Sequence, residues 1–212
     1  HDALPIFCAT GLGVAAQADT TYPLTLENCG SEVTFDKAPE TTVTVGQAAT
    51  EVLYALGLGE KVTGTSVWFT KVLPEFEELN AGVERLADND PSFESVVAKR
   101  PGLVSVQYEW HVGPQGIVAT REQFSDLGIP TYVLPADCVG KDNTKGSDGT
   151  RLEMYEMSSV YRGIEEMAQI FNVPERGTEL VASLKARETA AIETAKALDL
   201  TDSSAVFWFS SA

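Results

Sequence analysis

The amino-acid sequence predicts an α/β fold: a mostly parallel β-sheet flanked by helices, then a long helical segment and the truncated start of a second α/β lobe. Between residues 42 and 134, short β-branched segments alternate with segments of helical periodicity, which is the pattern of parallel βα units. Two long helical segments follow. The chain then ends on an apolar segment at residues 204–209. We interpret it as the first strand of the second lobe, because a strand without a neighbour leaves an unpaired edge.

The predicted elements follow one another in a regular order. Residues 22–35 alternate loosely about a turn at residues 28–31, which predicts an antiparallel hairpin. Strands of the parallel sheet are expected at residues 42–45, 61–66, 85–87, 103–106 and 131–134. Helices are expected at residues 48–58, 72–79, 91–100, 117–127, 154–171 and 176–198. A polar loop rich in Gly, Asp and Lys is expected at residues 136–150.

The opening of the chain indicates the remnant of a secretory signal peptide. Residues 3–18 are uncharged and largely apolar, and they close on the Ala-Gln-Ala sequence that ends at Ala18, as at a signal-peptidase cleavage site. The chain begins at His1 without the usual basic start, so we expect a truncated leader. Cys8 raises the alternative of a lipid anchor, but the bulky Phe7 precedes it. The sequence therefore predicts export, to the periplasm or the cell surface.

Charge and motif content exclude several classes of function. The chain has 15 Lys and Arg against 31 Asp and Glu, a formal net charge of −16. Such a surface repels phosphate backbones, so no nucleic-acid partner is expected. The sequence contains neither Gly-x-Ser-x-Gly nor His-Glu-x-x-His, the motifs of common nucleophilic and zinc hydrolases. No catalytic residues are therefore assigned, and a secreted α/β enzyme is kept only as an alternative that a turnover assay would distinguish.

The cysteines predict one disulfide. Removal of the leader takes away Cys8 and leaves Cys29 and Cys138. An even pair in an oxidising compartment is expected to be bonded. The alternative is two free, buried thiols.

Several segments in order resemble the helix-linked class of periplasmic binding proteins of ABC importers, which contains receptors for siderophores, haem and vitamin B12. The segments are GEKVTGTS at residues 59–66, PSFESVVAKRPGLV at 91–104, FSDLGIP at 124–130, and the helix pair around IFNVP at 170–174. The sequence departs from the family pattern at Gly102, where Asp is usual.

The resemblance implies two α/β lobes joined by one long helix, with the ligand between the lobes. It also implies an extracytoplasmic receptor that captures an iron–siderophore or similar metal chelate and delivers it to the membrane permease. We expect a monomer without a resident cofactor or metal site. The expected domains are the signal-peptide remnant (1–18), the ligand-binding lobe (19–150), the helix pair with the inter-lobe helix (151–203), and the first strand of the truncated second lobe (204–212).

The candidate ligand-binding residues follow the predicted strands. Loops beyond the carboxyl ends of parallel strands commonly form binding sites, and aromatic rings in such loops can stack on a flat or bulky ligand. The alternative for each ring is packing of its loop against the lobe. The candidates in these loops are Trp68, Phe69, Asn89, Tyr108, Trp110 and His111.

Two of the candidates, His111 and the further residue Arg121, carry nitrogen atoms that could bind a ligand. His111 is the sole histidine after the leader, and it could bind a ligand oxygen or a metal. The alternative is an ordinary surface histidine or one that braces its loop. Arg121 lies on the next helix and could pair with a carboxylate or hydroxamate oxygen of the ligand. The alternative for Arg121 is an ion pair with Glu122 or Asp126.

Glu94 has a different expected role. The resemblance implies that a glutamate at this position of the first lobe docks the membrane permease; the alternative is an ordinary acidic residue at a helix start. A second interpretation of the binding site is a directly bound iron held by Asp88, Asp90, Glu109 and Tyr residues.

Overall fold

The segments predicted as strands form a five-stranded sheet with separate short β-ribbons beside it. The structure is a computed structural model that describes residues 19–144, 149–198 and 203–204. The strands are β1 (Leu24–Asn28), β2 (Ser31–Phe35), β3 (Thr42–Val45), β4 (Val62–Ser66), β5 (Arg85–Ala87), β6 (Leu103–Val106), β7 (Thr131–Val133), β8 (Lys141–Asp142) and β9 (Thr150–Arg151). The α-helices are α1 (Gln47–Ala55), α2 (Glu77–Ala81), α3 (Phe93–Val97), α4 (Arg121–Ser125), α5 (Met157–Ile170) and α6 (Pro174–Ala197).

The central sheet is parallel and doubly wound. Its strand order is β5-β4-β3-β6-β7, and each neighbouring pair runs parallel. The chain moves outward from β3 through β4 and β5, then returns to the middle and moves outward through β6 and β7. This reversal creates a topological switch point between β3 and β6. The predicted α/β fold with a mostly parallel sheet is confirmed.

Both faces of the sheet are covered, because successive side chains of a strand point to opposite sides. Val45 of β3 packs in a core with Val96 of α3 and Phe124 of α4. Thr44 faces the opposite side, where its hydroxyl lies 2.8 Å from that of Thr50 in α1. Helices α1 and α5 contribute to the second core on that side. The β-branched composition of the strands is thus explained by burial on both faces.

The hairpin predicted at residues 22–35 is formed by β1 and β2, which pair antiparallel. Phe35 is 2% exposed and belongs to the same core as α1 and α5. The turn of the hairpin is fastened to the chain after β7 by the disulfide between Cys29 and Cys138, whose sulfur atoms lie 2.07 Å apart. The predicted disulfide is confirmed.

The two long helices form an antiparallel pair at their shared end. A Cβ atom on Gly177 of α6 would lie 2.5 Å from Cβ of Ala168 in α5, so glycine permits the close approach of the helices. Val181 is the next buried residue of α6. From Thr189 to Leu198 every residue is exposed, and α6 therefore extends past the core.

Some predicted boundaries are wrong for identifiable reasons. The helix expected at residues 117–127 is shortened to α4, because Thr120 and Gln123 form a capping box that starts the helix there. The segment expected as a plain polar loop at residues 136–150 contains β8, which pairs with β9. The leader at 1–18 and all but the first residue of the strand expected at 204–209 lie outside the described residues.

Candidate ligand-binding site

The candidate site lies at the carboxyl edge of the sheet, at the switch point between β3 and β6. Gly46 follows β3 with φ 119°, and a Cβ atom there would lie 2.2 Å from Cβ of Gln107, the residue after β6. Glycine is therefore required for the two strand ends to meet. Gln107 also accepts a hydrogen bond on Oε1 from the N–H of Ala48, at 3.0 Å. This contact fixes the start of α1 against the loop after β6.

Three of the predicted aromatic residues form a continuous row on this edge. The ring of Tyr108 lies 6.4 Å from that of Phe69 and 5.9 Å from that of Trp110, both edge to face. Phe69 is 65% exposed. Because the rings come from the loops after β4 and β6, the row spans the switch point. The prediction that these loops lie together is confirmed for Phe69, Tyr108 and Trp110; their contact with a ligand stays a prediction.

Trp68 is held to the lobe rather than to this row. Its indole N–H donates to Oγ1 of Thr65 at 3.0 Å, and the guanidinium of Arg85 lies 5.1 Å from its ring centroid. The Thr65 hydroxyl also lies 2.8 Å from that of Thr50. These contacts favour the packing alternative for Trp68.

Asn89 lies in the loop after β5 and is exposed. The start of this loop is tied to the loop after β4, because the N–H of Trp68 donates to the carbonyl of Asp88 at 3.2 Å. Asn89 therefore shares the carboxyl edge with the aromatic row, and its contact with a ligand stays a prediction.

His111 is 0% exposed and both its ring nitrogens have partners. Nδ1 lies 3.1 Å from the carbonyl oxygen of Tyr108, and Nε2 lies 3.0 Å from Oδ1 of Asp90 and 3.0 Å from Nε1 of Trp110. Burial lowers the pKa of His111, while the hydrogen bond that the ring donates to Asp90 when it is protonated, and the negative charge of Asp90, oppose that shift. The complete burial of His111 and its three contacts favour the loop-bracing alternative. A contact of His111 with a ligand stays a prediction.

The side chain of Arg121 is held by hydrogen bonds inside the lobe. Its guanidinium donates to the carbonyl and hydroxyl oxygens of Thr131 at 3.2 and 3.1 Å. It donates as well to the carbonyl and side-chain oxygens of Asn28 at 3.1 and 3.0 Å. Burial lowers the pKa of Arg121, and the charges of Glu109 and Glu27 oppose the shift. These bonds join the hairpin to β7 and favour a structural role for Arg121. The contact of Arg121 with a ligand stays a prediction.

A groove beside the aromatic row was missed by the sequence analysis. It is a cavity of about 400 Å³ between α1 and α5, with Tyr108 on its wall. Arg151 stands at its mouth, 5.3 Å from the ring centroid of Tyr155. Arg151 also donates to the carbonyl oxygens of Val139 and Ala136 at 2.7 and 3.1 Å. The remaining lining is partly apolar and includes Ala48, Val52, Leu134, Val160, Gly163 and Ile164.

Sequence reasoning missed this groove because its charged mouth depends on the β8–β9 pairing. Lys141 of β8 lies opposite Arg151 of β9, and Nζ of Lys141 lies 2.6 Å from Oδ1 of Asp137. The sequence gave little sign that β8 and β9 would pair, because the first lies in a polar segment and the second is followed by only a short mixed run, residues 151–155. The apolar residues that follow Arg151 could have indicated the groove, because a group of apolar side chains on a surface is typical of a binding site.

Glu94 is exposed in the first turn of α3. Its helix is capped by Ser92, whose Oγ accepts a hydrogen bond from the N–H of Ser95 at 3.1 Å. An acid is favoured at this position by the helix dipole. Permease docking by Glu94 stays a prediction.

No group of three or more His, Cys, Asp or Glu side chains suited to hold a metal ion occurs among the described residues. Within the same part of the chain, no helix combines the length and the apolar content that a bilayer crossing requires.

The family is decided by comparison with known proteins. The sequence profile of the periplasmic binding proteins matches residues 43–212. The chain belongs to this family. An uncharacterised ABC transporter substrate-binding lipoprotein, YvrC of Bacillus subtilis (strain 168), is 25% identical over 195 residues, which is 91% of this chain and 54% of YvrC.

Solved periplasmic binding proteins share the fold. A protein of the ABC-type Fe³⁺-hydroxamate transport system of Saccharomonospora viridis is 30% identical with a TM-score of 0.62, over 80% of this chain and 56% of that one. A periplasmic binding protein from Veillonella parvula is 20% identical with a TM-score of 0.63, over 84% of this chain and 54% of that one. The chain thus spans about half the length of the relatives it matches.

Proposed function

We propose that this chain forms the first lobe of an extracytoplasmic solute-binding receptor of an ABC importer, and that it captures an iron–siderophore or similar metal chelate against a second lobe. The observation that carries the proposal is the row of Phe69, Tyr108 and Trp110 at the carboxyl edge of the sheet. The row stands directly beside the groove between α1 and α5. Membership of the periplasmic binding protein family supports the same function.

The chemistry of this edge suits a bulky chelate with an organic shell. Aromatic side chains offer large apolar faces with little conformational freedom to lose on binding. Arg151 places positive charge on the wall of the groove, where it would favour oxygen atoms that carry negative charge. The charge of Lys141 is balanced by Asp137, which lines the same groove. The Saccharomonospora viridis relative is described as part of an Fe³⁺-hydroxamate transport system, which supports a ferric hydroxamate as the class of ligand to test first.

The outer part of α6 supports the existence of a partner lobe. The exposed segment from Thr189 to Leu198 continues for about 15 Å at the usual helical rise. Near the groove, Leu152 is 68% exposed and Met154 is 88% exposed. A group of large apolar side chains in solvent is typical of a surface that another unit covers. A second lobe linked through α6 would close over the same edge that carries the aromatic row.

The ligand is tested by tryptophan fluorescence in a protein that carries this chain together with a second lobe. We expect saturable quenching by a ferric trihydroxamate such as ferrioxamine B, and none by its iron-free form. Haemin, cobalamin and ferric citrate are the competing probes. Absence of both quenching and thermal stabilisation with every probe would contradict the proposal.

Permease docking is tested separately, in cells. Glu94→Ala should leave the affinity for the chelate unchanged and lower its uptake. Glu122→Ala is the matched control, because Glu122 is also an exposed acid in the first turn of a helix, α4. Equal uptake by the two variants would contradict a docking role for Glu94.

A further inference from the structure

The atom Nε2 of His111 has two neighbours that require opposite protonation states. One is the indole nitrogen of Trp110 and the other is Oδ1 of Asp90, each at 3.0 Å. An indole N–H can only donate a hydrogen bond, so it requires an unprotonated Nε2. A carboxylate can only accept, so it requires a protonated Nε2. One ring nitrogen cannot satisfy both contacts at the same time.

The contact of Nδ1 shows that Nε2 is the nitrogen of His111 that gains or loses a proton. Nδ1 of His111 lies 3.1 Å from the carbonyl oxygen of Tyr108, and a carbonyl can only accept. Nδ1 therefore holds a proton in both states. The neutral ring then accepts from Trp110 through Nε2. The charged ring instead donates from Nε2 to Asp90, and the indole of Trp110 loses its acceptor.

We propose that Asp90 and His111 are a proton-operated positioning pair for Trp110. Above its titration midpoint, His111 anchors the indole, and Asp90, whose side chain is 45% exposed, turns to water. Below the midpoint, the imidazolium bonds to Asp90 and releases the indole. Because the ring of Trp110 lies 5.9 Å from that of Tyr108, the exchange reaches the aromatic row.

The surroundings of His111 make both states accessible. Its complete burial favours the neutral ring and lowers its pKa. Two carboxylates favour the charged ring: Asp90 from the loop after β5, and Asp137 from the turn after β7. Asp137 is itself paired with Lys141 at 2.6 Å. Asp90 therefore has the larger effect of the two on the protonation of His111. Because burial and Asp90 act in opposite directions on the protonation of His111, a modest change in pH can switch the partner of Nε2 between Trp110 and Asp90.

The consequence for ligand binding rests on the proposed function, because it requires that the aromatic row contacts the ligand. In that case acidification would loosen one end of the row and weaken binding. The exchange itself is a property of this chain alone. It can be measured without any ligand, so failure of the receptor proposal and failure of the positioning pair are distinguishable.

The test is an NMR titration of the chain labelled with ¹⁵N at histidine and tryptophan. The chain has two histidines, His1 and His111, and His111→Gln identifies the second; Trp110→Phe identifies the indole signal. At about pH 8, we expect Nδ1 of His111 to be protonated and Nε2 to be unprotonated. On acidification, Nε2 of His111 and the indole signal of Trp110 should change together with one midpoint, below 6.5.

Two variants separate this pair from general effects of charge. Asp90→Asn removes the carboxylate that favours the charged ring, so the midpoint should shift to lower pH. Asp88→Asn is the matched control, because Asp88 is an exposed acid of the same loop that pairs with Arg85; its midpoint should equal that of the unchanged chain. A proton on Nε2 at about pH 8, a Trp110 signal that ignores the His111 titration, or an unshifted Asp90→Asn midpoint would each overturn the proposal. So would a His111 ring that stays neutral until the protein unfolds in acid.

Discussion

The side chain of Asn28 pairs with both backbone groups of Val133. Its Nδ2 donates to the carbonyl oxygen of Val133, and its Oδ1 accepts from the N–H of Val133, each at 2.8 Å. This is the pairing that a neighbouring strand would offer to β7, which is an edge strand of the sheet. Arg121 donates to the same Oδ1 at 3.0 Å. One asparagine therefore protects the sheet edge and fastens the hairpin to it.

Replacement of Asn28 should cost far more stability than its size suggests. Asn28→Ala leaves the buried N–H and carbonyl of Val133 without these partners, and we expect the free energy of unfolding to fall by about 3 kcal/mol. The measurement is urea unfolding monitored by circular dichroism. Asn89→Ala, at an exposed asparagine, should change this free energy by less than about 0.5 kcal/mol. Similar values for the two variants would show that the bonds to Val133 contribute little.

The disulfide should stabilise the fold mainly because it restricts the unfolded chain. Cys29 and Cys138 are 109 residues apart, and the entropy that the unfolded chain loses when a loop of that size is closed predicts about 5 kcal/mol of stabilisation. The double variant Cys29→Ser, Cys138→Ser should lose stability by this order, while Cys8→Ser should retain it. Urea unfolding with and without a reductant is the measurement, and intact mass after alkylation reports the number of free thiols. Equal unfolding midpoints in the oxidised and reduced protein would contradict the prediction.

The sheet could be predicted because each strand has a recognisable composition, and the disulfide could be predicted because two cysteines remain after the leader. Strands buried on both faces require short β-branched runs, and such runs mark β3, β4, β6 and β7 in the sequence. The cysteine count after the leader left a single possible pair. The meeting of Phe69, Tyr108 and Trp110 followed from the rule that parallel strands end at one edge.

The roles of individual polar residues could not be predicted in the same way. Arg121 has acidic neighbours one and five positions away, yet it binds Asn28, 93 positions earlier in the chain. That contact depends on the position of the hairpin, which the sequence pattern does not specify. His111 lies among aromatic and polar residues, so nothing local indicated complete burial. The mouth of the groove depended on Arg151 in a two-residue strand, which is too short to leave a periodic signal.

The burial of His111 makes stability depend on pH in a defined direction. Since burial lowers its pKa below 6.5 in the folded protein, the unfolded chain binds a proton more readily than the folded one. The contribution of His111 to stability is therefore complete above pH 6.5, and it is lost as the pH falls through the lowered pKa. We expect His111→Gln to be less stable than the unchanged chain at neutral pH and to lose less stability on mild acidification.

Urea unfolding at several pH values measures this difference. His1→Gln is the control, and it should retain the pH dependence of the unchanged chain. If the His111→Gln variant and the unchanged chain lose stability in parallel below pH 6.5, other groups must be responsible for the acid sensitivity.

Phe69 offers the clearest separation of binding from folding. Its ring is 65% exposed and contacts Tyr108 only at its edge, 6.4 Å between centroids. Phe69→Ala should therefore change the free energy of unfolding by less than about 0.5 kcal/mol. If the row receives the ligand, the same change should weaken binding of a ferric trihydroxamate by about tenfold, the order of loss expected when a side chain that contributes strongly to binding is truncated.

Leu127→Ala is the matched control for Phe69→Ala, because Leu127 is an apolar residue of similar exposure, 53%, between α4 and β7 and therefore at the amino edge of the sheet. Both its stability and its affinity should equal those of the unchanged chain. Fluorescence titration measures the affinities, and urea unfolding measures the stabilities. An unaltered affinity in Phe69→Ala would place the ligand away from the row. An equal loss in both variants would indicate a general effect on the lobe, since the two residues lie at opposite edges of one sheet.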